Sequence, residues 1–541
     1  MNIRSILVPI AALMAFAIPA CIVLSNAGYF LGFADAAEFA LVTRIGGIAH
    51  PPGFPAYVLT GKIWSMMMHL LGVSHIKAMV WFSVYCTATA STLVFLTMSR
   101  WLKKYYPEKS EISLTIVSLV SAVSFVTGIT AWYWAGNVEV YAMQVLAFAI
   151  TFYGLTAFQM DRKKHQLIIS AFGISLGLAN HHLTMVLVLP FLLLFFKPDL
   201  FEQIKVLKKD VTKNKKQKEE TTSKTTFISQ LIKSKDLRLL ILYSFLMTSS
   251  FYCWMIFRAG IDLPFKFGNP DNFSRFLYHI AGGAWIENTG TTVKGLIALR
   301  FPYFMSITFG QIFLFMPFLI LGFVELFRKK RYHLIYICLG YYLLILLYQL
   351  RIDQTSDTDA YMLPSFLLLT MIIPFGFMYV LSFNKLFIYL FPVLLITQVY
   401  LHFPKTDKRH FNINEALMQE LDRSAPLNST ILIADWTTVI QYYYCRIADH
   451  FRPDLIVLNY DLKFTNYKIL PAVYPEYYKE IKPEYDHFIE LLGASHPQEI
   501  YNTGCSLDTP ELLKAFDSVI VSHKKDIGFW ITHKWGIFLC S

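Results

Sequence analysis

Uninterrupted apolar runs set the terms for this chain. Ile6 to Val23, Ile76 to Met98, Ile112 to Trp132, Leu237 to Phe257, Phe301 to Leu326 and Leu334 to Leu350 each approach or exceed the roughly 20 residues a helix needs to cross a bilayer. The runs are continuous rather than alternating, so they predict helices and not barrel strands. Glu139 to Asp161 adds another. The run Gln166 to Phe196 is too long for one span and carries Asn180, His181 and His182 at its middle, so it divides into two short helices. A final pair turns at Phe383-Asn384-Lys385. The expectation is a polytopic α-helical membrane protein with about eleven spans. Ile6 to Val23 continues into polar sequence without a clear small-residue cleavage site, so it reads as a retained span.

Charge sorts the loops. The formal net charge of +11 would suggest nucleic acid in a soluble protein. Here the excess sits in short loops between spans, the pattern of cytoplasmic loops, and no nucleic-acid partner is expected. With Arg4 in the cytoplasm, Arg100–Lys109, Asp161–His165, the lysine-rich linker 197–236, Arg328–His333 and Phe383–Lys385 fall inside. The loop 26–75, Thr130–Asn137, the Asn-His-His turn, Arg258–Arg300 and Arg351–Tyr361 fall outside. The sorting predicts a multi-pass protein with a cytoplasmic N-terminus, and a bacterial inner membrane is the expected location. Cys21, Cys86, Cys253 and Cys338 lie in apolar runs as core residues; Cys445, Cys505 and Cys540 lack the spacing of a metal or disulfide framework.

The chain divides into a membrane part, 1–402, and an extracytoplasmic α/β part, 403–541. In the latter, Ser429–Asp435 reads as a strand, Trp436–His450 as a helix and Leu455–Leu458 as a second strand, a β-α-β unit. A further strand is expected at Asp517–Ser522. It carries no glycine-rich phosphate loop, so no nucleotide is assigned to it.

The chemistry concentrates in the first polar loop. Asp35 and Glu38 are three residues apart and share one face of a helix. His50-Pro51-Pro52-Gly53-Phe54-Pro55 follows, and its prolines remove amide donors and favour extended geometry, so it reads as a stiff turn presenting a histidine. Lys62 to Leu71 is amphipathic and suits the membrane interface. Structural roles compete: Asp35 as a helix cap, Glu38 in an ion pair with Arg44, His50 as turn packing. Arg258, Arg300 and Arg351 end spans on the same side and read as interface anchors.

These residues resemble the transmembrane protein 260-like family, the membrane proteins of domain of unknown function 2723. Asp35-Ala-Ala-Glu38-Phe39 with His50-Pro-Pro-Gly-Phe-Pro55 carries the resemblance, followed by Trp132–Trp134 leading to Glu139-Val140-Tyr141, Gly173 to His182, and Asp357 to Pro364. The tail is similar at Ile431 to Asn459. Ala37 stands where the family's pattern has glycine. The resemblance implies a GT-C glycosyltransferase, protein O-mannosyltransferase-like, that moves a sugar, mannose by family analogy, from a polyprenyl-phosphate donor to a protein Ser/Thr hydroxyl. Transfer to a glycolipid or cell-wall polymer, and a lipid-linked-sugar transporter or flippase, are the alternatives. A transporter commonly shows matched halves with broken helices, and the sequence shows no such repeat.

Such a reaction needs a carboxylate to take the acceptor proton and polar groups at the leaving phosphate. Asp35 is the expected base, with Glu38 as the second catalytic carboxylate. His50, Glu139, Tyr141, His181, His182, Asp359 and Tyr361 are the expected substrate-binding residues, with Asp357 shaping the same cavity; a solvated loop is the alternative for the residues near 357–361. Asp35 and Glu38 could share one oxygen-coordinated cation. A monophosphate leaving group needs less neutralisation, and no metal or other cofactor is expected.

Overall fold

A computed structural model describes residues 3–32, 35–196, 234–282, 293–351, 357–410, 413–433, 436–459, 469–495, 510–521, 527–533 and 536–540. The expected linker therefore lies outside the described residues up to position 233.

The apolar runs fold as helices. In chain order they begin with α1 (Ile3–Leu24), α2 (Ala36–Ile45), α3 (Pro55–His69), α4 (His75–Tyr105), α5 (Glu111–Val126), α6 (Ile129–Ala135), α7 (Tyr141–Asp161), α8 (Lys164–Leu178) and α9 (His182–Leu192). Among the described residues, eight helices are long and apolar enough to cross a membrane, and nine if α5 and α6 form one span bent by 69°. The count of eleven differs through α8 and α9. The predicted break at Asn180–His181 is present, but α8 has 15 residues and α9 has 11. At about 1.5 Å per residue neither reaches across a hydrocarbon layer of about 30 Å.

The α5–α6 bend has a visible cause. Gly128 leaves no room for a side chain, because Gln311 occupies the space a Cβ would take. The Gln311 amide donates to the Phe125 carbonyl at 2.7 Å and accepts from the Ala131 N–H at 2.9 Å. Backbone groups released by the bend are thus satisfied by protein, the condition for breaking a helix at membrane depth. α7 and the span Ala360–Leu381 are the most buried, whereas α1, Lys235–Ala259 and Lys385–Thr406 lie at the periphery. α3 starts earlier than the amphipathic pattern suggests, with Pro55 at the first helical position, where its missing N–H costs nothing. Its Ile63, Met66 and Met67 stay exposed, as an interfacial helix requires.

In the tail, β1 (Thr430–Ile433) and β2 (Ile456–Asn459) pair in parallel around the helix Trp436–Asp449, as the β-α-β pattern predicts. β3 (Ile527–His533) pairs parallel to β1 on its other side, and β4 (Gly536–Cys540) closes the sheet antiparallel to β3, giving the order β2-β1-β3-β4. The strand expected at Asp517–Ser522 is corrected to a helix, Pro510–Val521. Its buried residues Leu512, Ala515 and Val519 recur at helical spacing, which outweighs the local β-rich run. The helix Trp436–Asp449 packs against α2, with Tyr444 stacked on His75 at 6.2 Å.

Candidate functional site

α2, with Asp35 at its N-cap position, carries Glu38 in its first turn. It stops at Gly46, whose left-handed φ of 68° closes the turn while its N–H bonds the Val42 carbonyl. Arg258 donates to the carbonyls of Gly46 and Ile45 at 2.7 and 3.0 Å, placing a cation at the helix C-terminus. This end-capping role is more specific than the anchoring expected of Arg258.

The turn behind α2 then folds His50 back onto the acids. Gly53 N–H donates to the His50 carbonyl at 2.7 Å, and the Pro51–Pro52 peptide is cis. Gly53 has φ +90°, and a Cβ there would lie 2.5 Å from the Met255 sulfur and 3.1 Å from His279 Nε2. Only glycine fits this corner.

His50 joins the two acids. Its backbone N–H donates to Glu38 Oε1 at 2.6 Å, and its Nδ1 meets Glu38 Oε2 at 3.0 Å. Its Nε2 lies 3.7 Å from Asp35 Oδ2. The Glu38 side chain is 1% exposed and that of Asp35 37%. Glu38 is therefore engaged through both oxygens, and Asp35 keeps an open face. Asp35 occupies the N-cap position of α2 but makes no side-chain capping bond, so capping does not account for it. The Glu38–Arg44 pair is corrected to Glu38–His50: positions six apart point to different sides of a helix. Burial works against the His50 cation, but the carboxylates of Glu38 and Asp35 outweigh it and hold the imidazole up at about 9. Burial likewise makes Glu38 easier to protonate than a free carboxyl, against the pull of His50. Phe39, Phe54 and Phe267 surround the imidazole at 5.6, 5.0 and 5.8 Å.

The second half of the site comes from the mouth of α7, the α8–α9 turn and residues 357–361. Glu139 is buried just before α7; burial, with the charges of Asp35 and Asp357, pushes its carboxyl well above the ordinary range. Asp357 is pushed up to about 7 by burial and by Asp35. The Tyr141 hydroxyl donates to Asp357 Oδ2. The His181 ring meets Tyr361 edge-on at 4.4 Å and Tyr141 at 5.9 Å, and burial pushes its pKa down to about 3, so it is a neutral imidazole. Phe54 bridges the halves, 6.4 Å from His181. Gln144 fixes the α8–α9 turn: its amide bonds Thr184 at 2.9 Å and accepts from Asn180 at 3.0 Å.

The structure thus gathers Asp35, Glu38, His50, Glu139, Tyr141, His181, Asp357 and Tyr361. Asp359 sits at the edge, within the field of Lys408. His182 starts α9, and no contact ties it to the carboxylates among the described residues. Sequence reasoning passed over Lys408 and His279. Buried Lys408 donates to the Tyr133 carbonyl and to Asn137 Oδ1, lies 3.6 Å over the Tyr133 ring, and is pushed down to about 7 by burial. Buried His279 bonds the Ala49 carbonyl at 3.2 Å, beneath the His50 turn. Neither stands in a motif that marks it.

Asp35, Glu38 and His50 also form a group with the spacing to hold a metal ion, their ligand atoms lying within 4.8 Å of one another. The donor set is chemically suitable, but the His50 cation already places positive charge between the acids.

Residues 35–205 match the family described as Protein O-mannosyl-transferase TMEM260 N-terminal domain. The Protein O-mannosyl-transferase tmem260 of Dictyostelium discoideum is 27% identical over 172 residues, which cover 29% of this chain and 20% of that protein. The matched stretch is thus about a fifth of the relative's length. In fold, the chain is similar to the crystal structure of ArnT from Cupriavidus metallidurans bound to undecaprenyl phosphate, with TM-score 0.50 and 10% identity over 82% of this chain and 84% of that one. The apo ArnT structure aligns with TM-score 0.49 and 10% identity over 88% and 94% of the two chains.

Proposed function

From a TMEM260-like N-terminal domain set in an ArnT-like fold, we propose that this chain is a membrane glycosyltransferase that moves a sugar, mannose, from a polyprenyl phosphate to a protein Ser/Thr hydroxyl. The observation that carries the proposal is the division of labour between the loop acids. Asp35 is open on one side, and Glu38 is buried and committed to His50. The name of the Dictyostelium relative supports O-mannosyl transfer, and the lipid bound to ArnT supports a polyprenyl-phosphate donor.

In this mechanism Asp35 takes the proton of the acceptor hydroxyl. The hydroxyl oxygen forms a bond to C1 of the sugar as the bond from C1 to the phosphate oxygen breaks. The electron pair of that bond leaves with the phosphate. Glu38 keeps His50 cationic, and the imidazolium supplies positive charge beside the reacting groups. The buried carboxyls Glu139 and Asp357, which hold protons more readily than free acids, and the Tyr141, Tyr361 and His181 rings are suited to sugar hydroxyls. His182 and Asp359 stand farther from the reacting carboxylate in this reading. No metal is needed, because the His50 cation takes the place a divalent ion would fill.

The test is transfer by detergent-purified protein from polyprenyl-phosphate mannose to a Ser/Thr peptide in the presence of EDTA. Mannosyl peptide should form at the same rate with and without the chelator. Transfer to an added glycolipid instead would change the acceptor class. Movement of intact donor across vesicles without any transfer would replace the enzyme by a flippase, and loss of transfer in EDTA would assign the acid cluster to a metal.

Orientation belongs to the same proposal: N-terminus in the cytoplasm of a bacterial inner membrane, tail outside. Lys479 is exposed on the tail. Lys479→Cys should react with an impermeant maleimide in intact spheroplasts. Labelling only after lysis would place the tail and the acid cluster inside.

A further inference from the structure

At the end of the bundle remote from the acid cluster, basic side chains from three helix ends converge. α4 ends at Tyr105, α7 ends at Asp161, and the span Tyr332–Gln349 begins there. Lys104 and Arg331 lie over the same Tyr105 ring, at 5.8 and 4.7 Å. Arg162 caps α7 and lies 5.5 Å over Phe158, and Lys104 is within the electrostatic field of both arginines. The neighbouring cations are matched: Arg100 pairs with Asp161 at 3.0 Å, Lys103 pairs with Glu111, and Lys329 lies 3.8 Å from Glu325. Among the described residues, no carboxylate comes within ion-pair distance of Lys104, Arg162 or Arg331.

Beneath them sits His333. It is 9% exposed, lies in the field of Arg331 and Lys104, and its Nε2 has no hydrogen-bond partner. A buried polar atom left unpaired is costly, so it points to a partner absent from the protein itself. Basic residues that merely anchor a loop snorkel separately into water. Beside the cluster, exposed Phe327 packs edge-on against Tyr332 at 5.5 Å, offering apolar surface next to the charge.

We propose that Lys104, Arg162, Arg331 and His333 form a binding site for the phosphate of a membrane lipid on the face opposite the acid cluster. The arginines and the lysine neutralise the phosphate, the His333 imidazole N–H donates to one of its oxygens, and an acyl or prenyl chain lies along Phe327. The shared chemistry fits an anionic phospholipid or a polyprenyl phosphate.

Full-length protein in phosphatidylcholine nanodiscs, doped in turn with phosphatidylglycerol or undecaprenyl phosphate, tests this by native mass spectrometry of the lipid retained. Each cation near a membrane surface is worth about fivefold in lipid affinity. Arg331→Gln and Lys104→Gln should each lower retention by about that factor, Arg331→Lys should restore most of it, and the paired Lys329→Gln should change little. Loss of both lipids together identifies a general phosphate site, and loss of undecaprenyl phosphate alone identifies a carrier site. Unchanged retention in the Lys104→Gln/Arg331→Gln double variant, or full competition by inorganic phosphate, overturns the proposal. Should a variant fail to fold, wild-type protein is crosslinked to phosphatidylglycerol carrying a photoreactive headgroup. Adducts within 100–109, 161–165 or 328–333 sustain the site, and adducts confined to other segments overturn it.

Discussion

Asp35→Asn is expected to slow sugar transfer at least about a hundredfold while leaving expression, membrane insertion and donor binding intact. A positioned general base contributes roughly 10²–10⁴-fold, and asparagine keeps the size and most of the hydrogen bonding of aspartate while removing its basicity. The geometry selects Asp35 over its neighbour. Both Glu38 oxygens are held by His50, at 2.6 and 3.0 Å, so a proton arriving there would have to displace the histidine. Asp35 touches His50 at 3.7 Å and makes no capping bond. The measurement is single-turnover transfer with saturating donor. If Asp35→Asn keeps near wild-type transfer while Glu38→Gln abolishes it, Glu38 is the base. If both remain active, the acid cluster is structural and the mechanism drawn around it is wrong.

The bundle was legible because membrane helices announce themselves by length and continuity. The run Gln166 to Phe196 shows where that signal ends. Its polar Asn180-His181-His182 break marks two helices, yet hydropathy alone does not say that pieces of 15 and 11 residues fall short of crossing. In the tail, the β-α-β unit was legible from its two apolar strands. Asp517–Ser522 misled because a short apolar run fits strand and helix alike, and the buried positions Leu512 and Ala515 that decide the period lie upstream. Within the site, Asp35, Glu38 and His50 were legible because one loop holds all three. Which of them pair was not, since it takes the stiff turn to bring His50 back onto Glu38 across twelve residues. Lys408 was not legible at all. Its partners Tyr133 and Asn137 lie more than two hundred residues away, and a lone lysine after an apolar run looks like any solvated charge.

Glu38→Gln should destabilise the protein in a pH-dependent way that a plain packing defect cannot imitate. His50 is held at about 9 in the fold, above the unperturbed value of 6.5. A raised imidazole pKa gives stability that is fully present below 6.5 and is lost as pH rises through about 9. The shift corresponds to about 3 kcal/mol, at about 1.4 kcal/mol per pH unit. Glutamine keeps the size and one accepting oxygen but not the charge, and its amide nitrogen only donates, so in the variant burial prevails and His50 turns neutral at lower pH. At the acid end, buried Glu38 binds a proton more readily in the fold than in the unfolded chain, so its own titration does not erode the wild-type advantage there. The difference in thermal midpoint between wild type and Glu38→Gln in detergent should therefore be largest at and below pH 6.5 and shrink as pH rises toward 9. A midpoint difference that stays level from pH 6 to about 10 would mean that Glu38 and His50 share a neutral hydrogen bond, and that no cation stands beside Asp35.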